Sequence, residues 1–226
     1  MTSPSVMITG ATGYLGCALT AALIERGYDV CALVRPGTAG RVVRGAHVSE
    51  LNVLSEDELF HSLRPGSTLV HLVGTAHPNP HKAKEFVNVD LASVRASAAA
   101  AIRANIAHFI YVSVAQPAPV MQAYIDVRAA GEKTLADSGL KVTILRPWYV
   151  LGPAHWWPLF LLPLYACARL IPSARDTARR LGLVTRGQMI QALLQSVETP
   201  PDTSTPRILE VPDIRRSQSQ QASRSK

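Results

Sequence analysis

Apolar positions in the first two thirds of this chain fall into two alternating patterns, short runs and wider sets at helical spacing. The runs Val6–Thr9, Asp29–Val34, His47–Leu51, Thr68–Leu72, His108–Val112 and Val142–Leu145 predict strands. Between them, Tyr14–Arg26, Glu56–Leu63, Lys84–Arg103 and Tyr124–Asp137 predict helices. Such βαβ alternation predicts an α/β fold, a doubly wound parallel sheet with its ligand site at the strand C-termini, near the switch in strand order.

Beyond Pro147 the pattern changes. Trp148–Pro172 is apolar, aromatic and broken by four prolines. A later helix, Thr185–Glu198, has Ile190, Leu193, Leu194 and Val197 at helical spacing, and Thr185 with Gln188 reads as a capping box at its start. Arg207–Val211 predicts a last strand at the sheet edge. The expected organisation is a core over residues 1–147, a small, mostly helical annex over 148–211, and a disordered basic tail over 212–226.

Composition changes this picture little. With 226 residues, 47% of them hydrophobic, the chain suits one large α/β domain or one domain with a small annex. No basic, apolar leader opens the sequence, and the three cysteines (Cys17, Cys31, Cys167) are odd in number and far apart, so a cytoplasmic protein with buried thiols is expected. No metal-ligand spacing occurs. The tail alone supplies +3 of the net charge of +7 through Arg215, Arg216, Arg224 and Lys226 against Asp213. What remains is ordinary, and no aromatic residues interleave with a basic stripe, which argues against nucleic acid.

The candidate chemistry begins at Thr9–Gly16, TGATGYLG, between the first strand and the first helix. Glycines there let the backbone turn sharply and approach a pyrophosphate, while the helix start offers free N–H groups and a positive dipole end. Gly10, Thr12, Gly13, Tyr14, Leu15 and Gly16 are therefore the expected dinucleotide-binding residues. At the end of the second strand, where a carboxylate commonly binds the ribose 2′-hydroxyl of NAD, the sequence has Arg35-Pro36-Gly37 instead. Arg35 would pair with a 2′-phosphate, helped by Arg41 and Arg44, so NADPH is expected over NADH. The alternative is a solvated surface arginine.

Several ordered motifs resemble the short-chain dehydrogenase/reductase superfamily, in its atypical or extended branch with NmrA-like and complex-I-subunit-like members. The glycine run resembles that branch's GxxGxxG form. Val70–Gly74, VHLVG, resembles the fourth strand that passes the cofactor ribose, which implicates Val73 and Gly74. Asn88-Val89-Asp90 resembles the start of the next helix, and His108–Ala115, HFIYVSVA, the fifth strand. Tyr124–Pro147 resembles the helix and strand carrying the family's Tyr-x-x-x-Lys pair and terminal Arg-Pro, and adds Pro147 to the cofactor residues. The resemblance covers roughly residues 5–155 and implies a Rossmann fold.

It also implies a catalytic set, which this chain departs from. In the family a tyrosine exchanges a proton with the substrate oxygen, and a lysine one turn later supports it and holds the nicotinamide ribose. Here the tyrosine position is Tyr124 and the lysine position is Arg128. Spacing i, i+4 keeps both on one helix face, whereas Lys133, nine residues on, falls on the opposite face. Arginine keeps the charge but not the compact shape. The third member that the resemblance implies is a serine at the end of the fifth strand, which helps polarise the substrate carbonyl. Where many relatives have a serine pair, this chain has Ser113-Val114, so Ser113 is the candidate, or, as the first of the pair, bonds backbone or ribose instead. The alternative for Tyr124 is plain packing at a helix start.

The apolar stretch after Pro147 is too short and proline-rich for a membrane span. It reads as a pocket wall with Tyr149, His155, Trp156 and Trp157 at its mouth, as a surface docking on a membrane or partner with Arg169, Arg175, Arg179 and Arg180, or as core. Three functions follow. One is an NADPH-dependent oxidoreductase on a small apolar carbonyl, enone or sugar-derived substrate. The others are a non-catalytic NAD(P)H-sensing regulator and an accessory factor of a membrane complex, peripherally bound. The helices Lys84–Arg103 and Tyr124–Asp137 offer a face for a homodimer.

Overall fold

The computed structural model describes residues 4–75, 78–118, 120–153 and 181–224. Its centre is a seven-stranded sheet built from β1 (Ser5–Thr9), β2 (Asp29–Val34), β3 (His47–Glu50), β4 (Thr68–His71), β5 (His108–Val112), β6 (Val142–Arg146) and β9 (Arg207–Glu210). The order is β3-β2-β1-β4-β5-β6-β9, and every pair is parallel. β7 (Tyr149–Leu151) and β8 (Leu183–Thr185) form a separate parallel pair.

Parallel strands covered on both faces must be apolar on both, and alternation then divides the core in two. Met7, Leu33, Leu69, Phe109, Tyr111 and Ile144 belong to one cluster. Val6, Ile8, Ala32, Val70, Ile110 and Leu145 belong to the other. The first cluster takes in α2 (Glu56–Ser62) and the long helix α3 over residues 83–103. α3 runs from Ala83–Glu85 through a π-helical stretch, Phe86–Leu91, into Ala92–Arg103. The second takes in α1 (Tyr14–Glu25) and α5 (Arg186–Glu198). α4 (Gln122–Ala136) lies between β5 and β6 in sequence and sends Val127 and Leu135 into the first cluster.

The strand order reverses between β1 and β4. The Leu72 amide donates to the Thr9 carbonyl at 3.2 Å, so the two strand ends open side by side at this switch point. The Thr185–Gln188 capping box is formed in both directions.

The β7–β8 pair was not expected from the sequence, and α4 and the tail differ from the expectation. α4 begins at Gln122, two residues early, after Met121 turns in a left-handed conformation (φ 61°). The tail expected to be disordered from Pro212 instead forms α6 (Val211–Arg224). Its first turns are anchored because Val211 and Ile214 are fully buried in the second cluster and Ser217 is nearly so. Arg215 reinforces them by donating to the Leu183 carbonyl of β8 through Nε at 2.9 Å. Among the described residues no helix is long and apolar enough to cross a membrane. The stretch from His155 to Arg180, with Trp156, Trp157, Cys167 and the arginines read from sequence, lies outside the described residues.

Candidate cofactor and proton-transfer site

The glycine turn sits where β1 hands over to α1. Gly10 has φ +72° and lies against the backbone of Leu72; a Cβ there would stand 2.9 Å from the Leu72 carbonyl carbon. At Gly13 a Cβ would crowd the Gly10 carbonyl oxygen at 3.1 Å. At Gly16 it would overlap that oxygen and the Ala11 backbone. Each glycine thus clears space that only backbone can border. Gly13 caps α1 without a side chain, and no acidic residue occupies the first turn. The helix start keeps its exposed N–H groups and positive dipole end for an anion. This cradle fits the diphosphate of a dinucleotide, with Thr12, Gly13, Tyr14 and Leu15 at its rim.

Beyond β2 the chain turns back through Gly37 and Ala39, whose amides both donate to Glu50 Oε1 at 2.9 and 3.3 Å. Glu50, at the end of β3, is thereby committed to the loop. Arg35 is exposed on this loop. Arg41 reaches back so that its Nη2 lies 3.5 Å from the Thr12 carbonyl of the glycine turn. The structure therefore joins Arg41 directly to the cradle, a closeness that sequence proximity to Arg35 only suggested.

On the far side of the switch point, Arg128 and Asp90 form a buried ion pair at 2.6 Å, with Arg128 6% and Asp90 1% exposed. Arg128 also donates to the Val112 carbonyl at 3.1 Å and the Tyr111 hydroxyl at 3.3 Å. The other Asp90 oxygen accepts from Thr75, from its amide at 3.0 Å and its hydroxyl at 2.6 Å. Gly74 makes the pair possible, because a Cβ there would collide with the guanidinium. Burial opposes the charge on Arg128, but Tyr124, Tyr111 and Asp90 outweigh it and raise its pKa further. The same guanidinium lies 5.1 Å from the centre of the Tyr124 ring, which packs edge-to-face with Phe86, ring centres 5.0 Å apart. Arg128 Nε is buried with no partner among the described residues.

Tyr124 and Arg128 thus come together as their spacing predicts, whereas Ser113 does not join them. Its hydroxyl donates to Glu132 Oε1 at 2.5 Å, and Glu132 in turn receives Arg146 from Nε at 3.0 Å and Nη2 at 2.5 Å. Arg146 continues to Glu210 on β9 at 3.0 Å. Ser113 serves a buried brace between β5, α4, β6 and β9. Lys133 is turned to Asp137, 2.9 Å away on the outside. Pro147 accepts from the Ala115 amide at 2.9 Å, which fixes the ends of β5 and β6 together, and Val73 packs beside the first core cluster.

Sequence reasoning missed three participants. Asp90 was read only as part of a helix start, and Glu132 was not singled out although it follows Arg128 by one helical turn. The third is His71 at the end of β4, fully buried, with its Nδ1 3.0 Å from Thr9 Oγ1 and 3.1 Å from Ser97 Oγ and its Nε2 3.3 Å from Ser93 Oγ. Burial first, and the Arg128 charge second, push its pKa down to about 3, so the ring is neutral.

Comparison with known proteins agrees with this geometry. Residues 10–152 match the NAD(P)H-binding family. A ceramide reductase of Caulobacter vibrioides is 31% identical over 177 residues, which is 77% of this chain but 55% of that protein. The chain therefore spans about half the length of this curated relative. Solved structures share the fold at low identity. A short-chain dehydrogenase/reductase superfamily protein from Agrobacterium tumefaciens with bound NAD superposes with a TM-score of 0.66 at 16% identity, covering 91% of this chain and 77% of that one. A UDP-N-acetylglucosamine 4-epimerase from Bacillus cereus gives 0.68 at 16% identity, covering 92% and 79%. With its glycine cradle and parallel sheet, the chain belongs to the NAD(P)H-binding family and has the Rossmann fold of the short-chain dehydrogenase/reductase and epimerase superfamily.

Proposed function

We propose that this chain binds NADPH in preference to NADH and reduces a carbonyl group on an apolar substrate. The reading is carried by Tyr124, whose phenol has no hydrogen-bond partner among the described residues and whose ring lies beside the buried Arg128 cation. When bound, the reduced nicotinamide supplies a hydride. Tyr124 holds a proton at its phenol oxygen for the substrate oxygen, and Arg128 fixes the ring and holds positive charge beside it. Arg35 and Arg41 would receive the 2′-phosphate; Glu50, the carboxylate at the end of β3, is already taken by loop amides. The curated relative's name makes a ketone on a ceramide-type lipid the first substrate to assay.

The experiment is a fluorescence titration with NADPH and NADH, followed by turnover. Arg41→Ser and Arg35→Ser are each expected to weaken NADPH binding by roughly tenfold or more, the scale of a charge-assisted hydrogen bond, and to leave NADH unchanged. An unaltered NADPH/NADH ratio in both variants would remove the cofactor preference. Tyr124→Phe is expected to lower turnover by roughly 10²- to 10⁴-fold with NADPH affinity intact. Full activity in that variant would remove the proton-donor role. A second reading, a regulator that binds NAD(P)H without turnover, draws on Ser113, which is committed to Glu132 and followed by the buried apolar Val114.

A further inference from the structure

We propose that Arg186, in the C-terminal part of the chain, is a further contact for the cofactor's diphosphate, used equally by NADPH and NADH. This rests on the nucleotide-binding reading of the glycine turn. Arg186 is the first residue of α5, directly after its capping residue Thr185, and the first turn of α5 contains no acidic residue. That is an unfavourable place for a cation, because the helix dipole is positive there. Among the described residues Arg186 has no ion pair or hydrogen bond to compensate. Instead it lies over Tyr14, its guanidinium carbon 5.3 Å from the ring centre.

Tyr14 is the first residue of α1, so the contact sets the N-termini of two helices beside each other. Gly152, at the end of β7, provides the room: a Cβ there would press on the Tyr14 hydroxyl and lie 3.2 Å from Arg186 Cβ. Through Tyr14 at the rim of the cradle, the start of α5 and its Arg186 cation thus meet the start of α1, and neither first turn supplies an acid. What the arrangement suits is a multiply charged anion. The diphosphate of a dinucleotide is the anion that the cradle is shaped to take, and a guanidinium already placed over a ring loses less freedom in binding it than a free one.

The test is a titration of the full chain and of R186Q with NADPH, NADH and ADP-ribose, the last having the diphosphate without the nicotinamide. R186Q is expected to raise all three dissociation constants by a common factor of roughly ten or more, with the ligand-free thermal midpoint not lowered, and R186K is expected to recover part of the loss. Equal constants for R186Q and the unmodified chain would overturn the inference. So would a loss confined to NADPH, which would put Arg186 at the 2′-phosphate. Loss of the NADPH preference alone would fell that part of the proposed function while NADH and ADP-ribose still report on Arg186. If the unmodified chain bound none of the three, both proposals would fall.

Discussion

Asp90→Ala is expected to destabilise the protein by about 3–5 kcal/mol, the usual cost of removing one partner from a buried ion pair. The reason is what stays behind. Arg128 is held charged and its head is enclosed by Gly74, Tyr111, Tyr124 and the Val112 carbonyl, so its charge would be left with only neutral partners. The Thr75 amide and hydroxyl would lose their acceptor in the same step. Domains of this kind are stable by only about 5–15 kcal/mol, so the loss would be a large fraction of the whole. Urea unfolding at neutral pH measures it, and a change below about 1 kcal/mol would show that the pair is not buried as described. The double variant Asp90→Leu with Arg128→Leu is expected to be more stable than Asp90→Ala, because apolar groups in place of both charges remove the penalty as well as the attraction. If the double variant were the weaker of the two, the bonds from Arg128 to the Tyr111 hydroxyl and the Val112 carbonyl would outweigh the cost of leaving its charge without a counter-ion.

The same pair shows why the candidate site was only half legible in the sequence. Tyr124 and Arg128 are one helical turn apart, and local spacing was enough to set them on one face. Asp90 stands 38 positions from Arg128, and no periodicity along either helix announces such a partnership. It exists because β4 and β5 are neighbours, which brings α3 and α4 together over one face of the sheet. Ser113 illustrates the same limit. Its place at a strand end suggests chemistry, but Glu132, 19 residues later, takes its hydroxyl. A regular signal for Glu132 did exist, since Tyr124, Arg128 and Glu132 repeat at intervals of four.

The fold was more legible because it depends on local pattern. β2 and β5 were read to the residue from their apolar runs, and the glycine turn was placed from its strand–turn–helix context. The tail was misread because composition averages over a segment, whereas anchoring needs only a few well-spaced residues. Val211 and Ile214 are three apart, and together they seat a helix that is otherwise polar. The β7–β8 pair was missed because three-residue strands leave almost no periodicity to detect.

Two buried histidines are expected to make the protein acid-labile well above the pH at which carboxylates titrate. His71 is pushed down to about 3, by burial first and then by the Arg128 charge. His108, hydrogen-bonded to Thr143 Oγ1 at 2.9 Å, is pushed down to about 4, by burial and then by Arg207 and Lys141. In the unfolded chain both return to about 6.5. Between that value and their folded values the unfolded state binds more protons, so stability must fall as pH falls. The contribution is fully present above about pH 6.5 and is lost progressively towards pH 4 and below. Each histidine contributes a slope approaching about 1.4 kcal/mol per pH unit within that window. Urea unfolding at pH 7.5, 6.0 and 5.0 should therefore show a steep decline, with nearly two protons taken up on unfolding at the lowest pH. His71→Gln and His108→Gln should each reduce that uptake by one proton, even where they weaken the fold at neutral pH. A profile flat from pH 7.5 to 5.0 would mean that these rings can be protonated within the native fold. An uptake unchanged in both variants would assign the acid sensitivity to other groups.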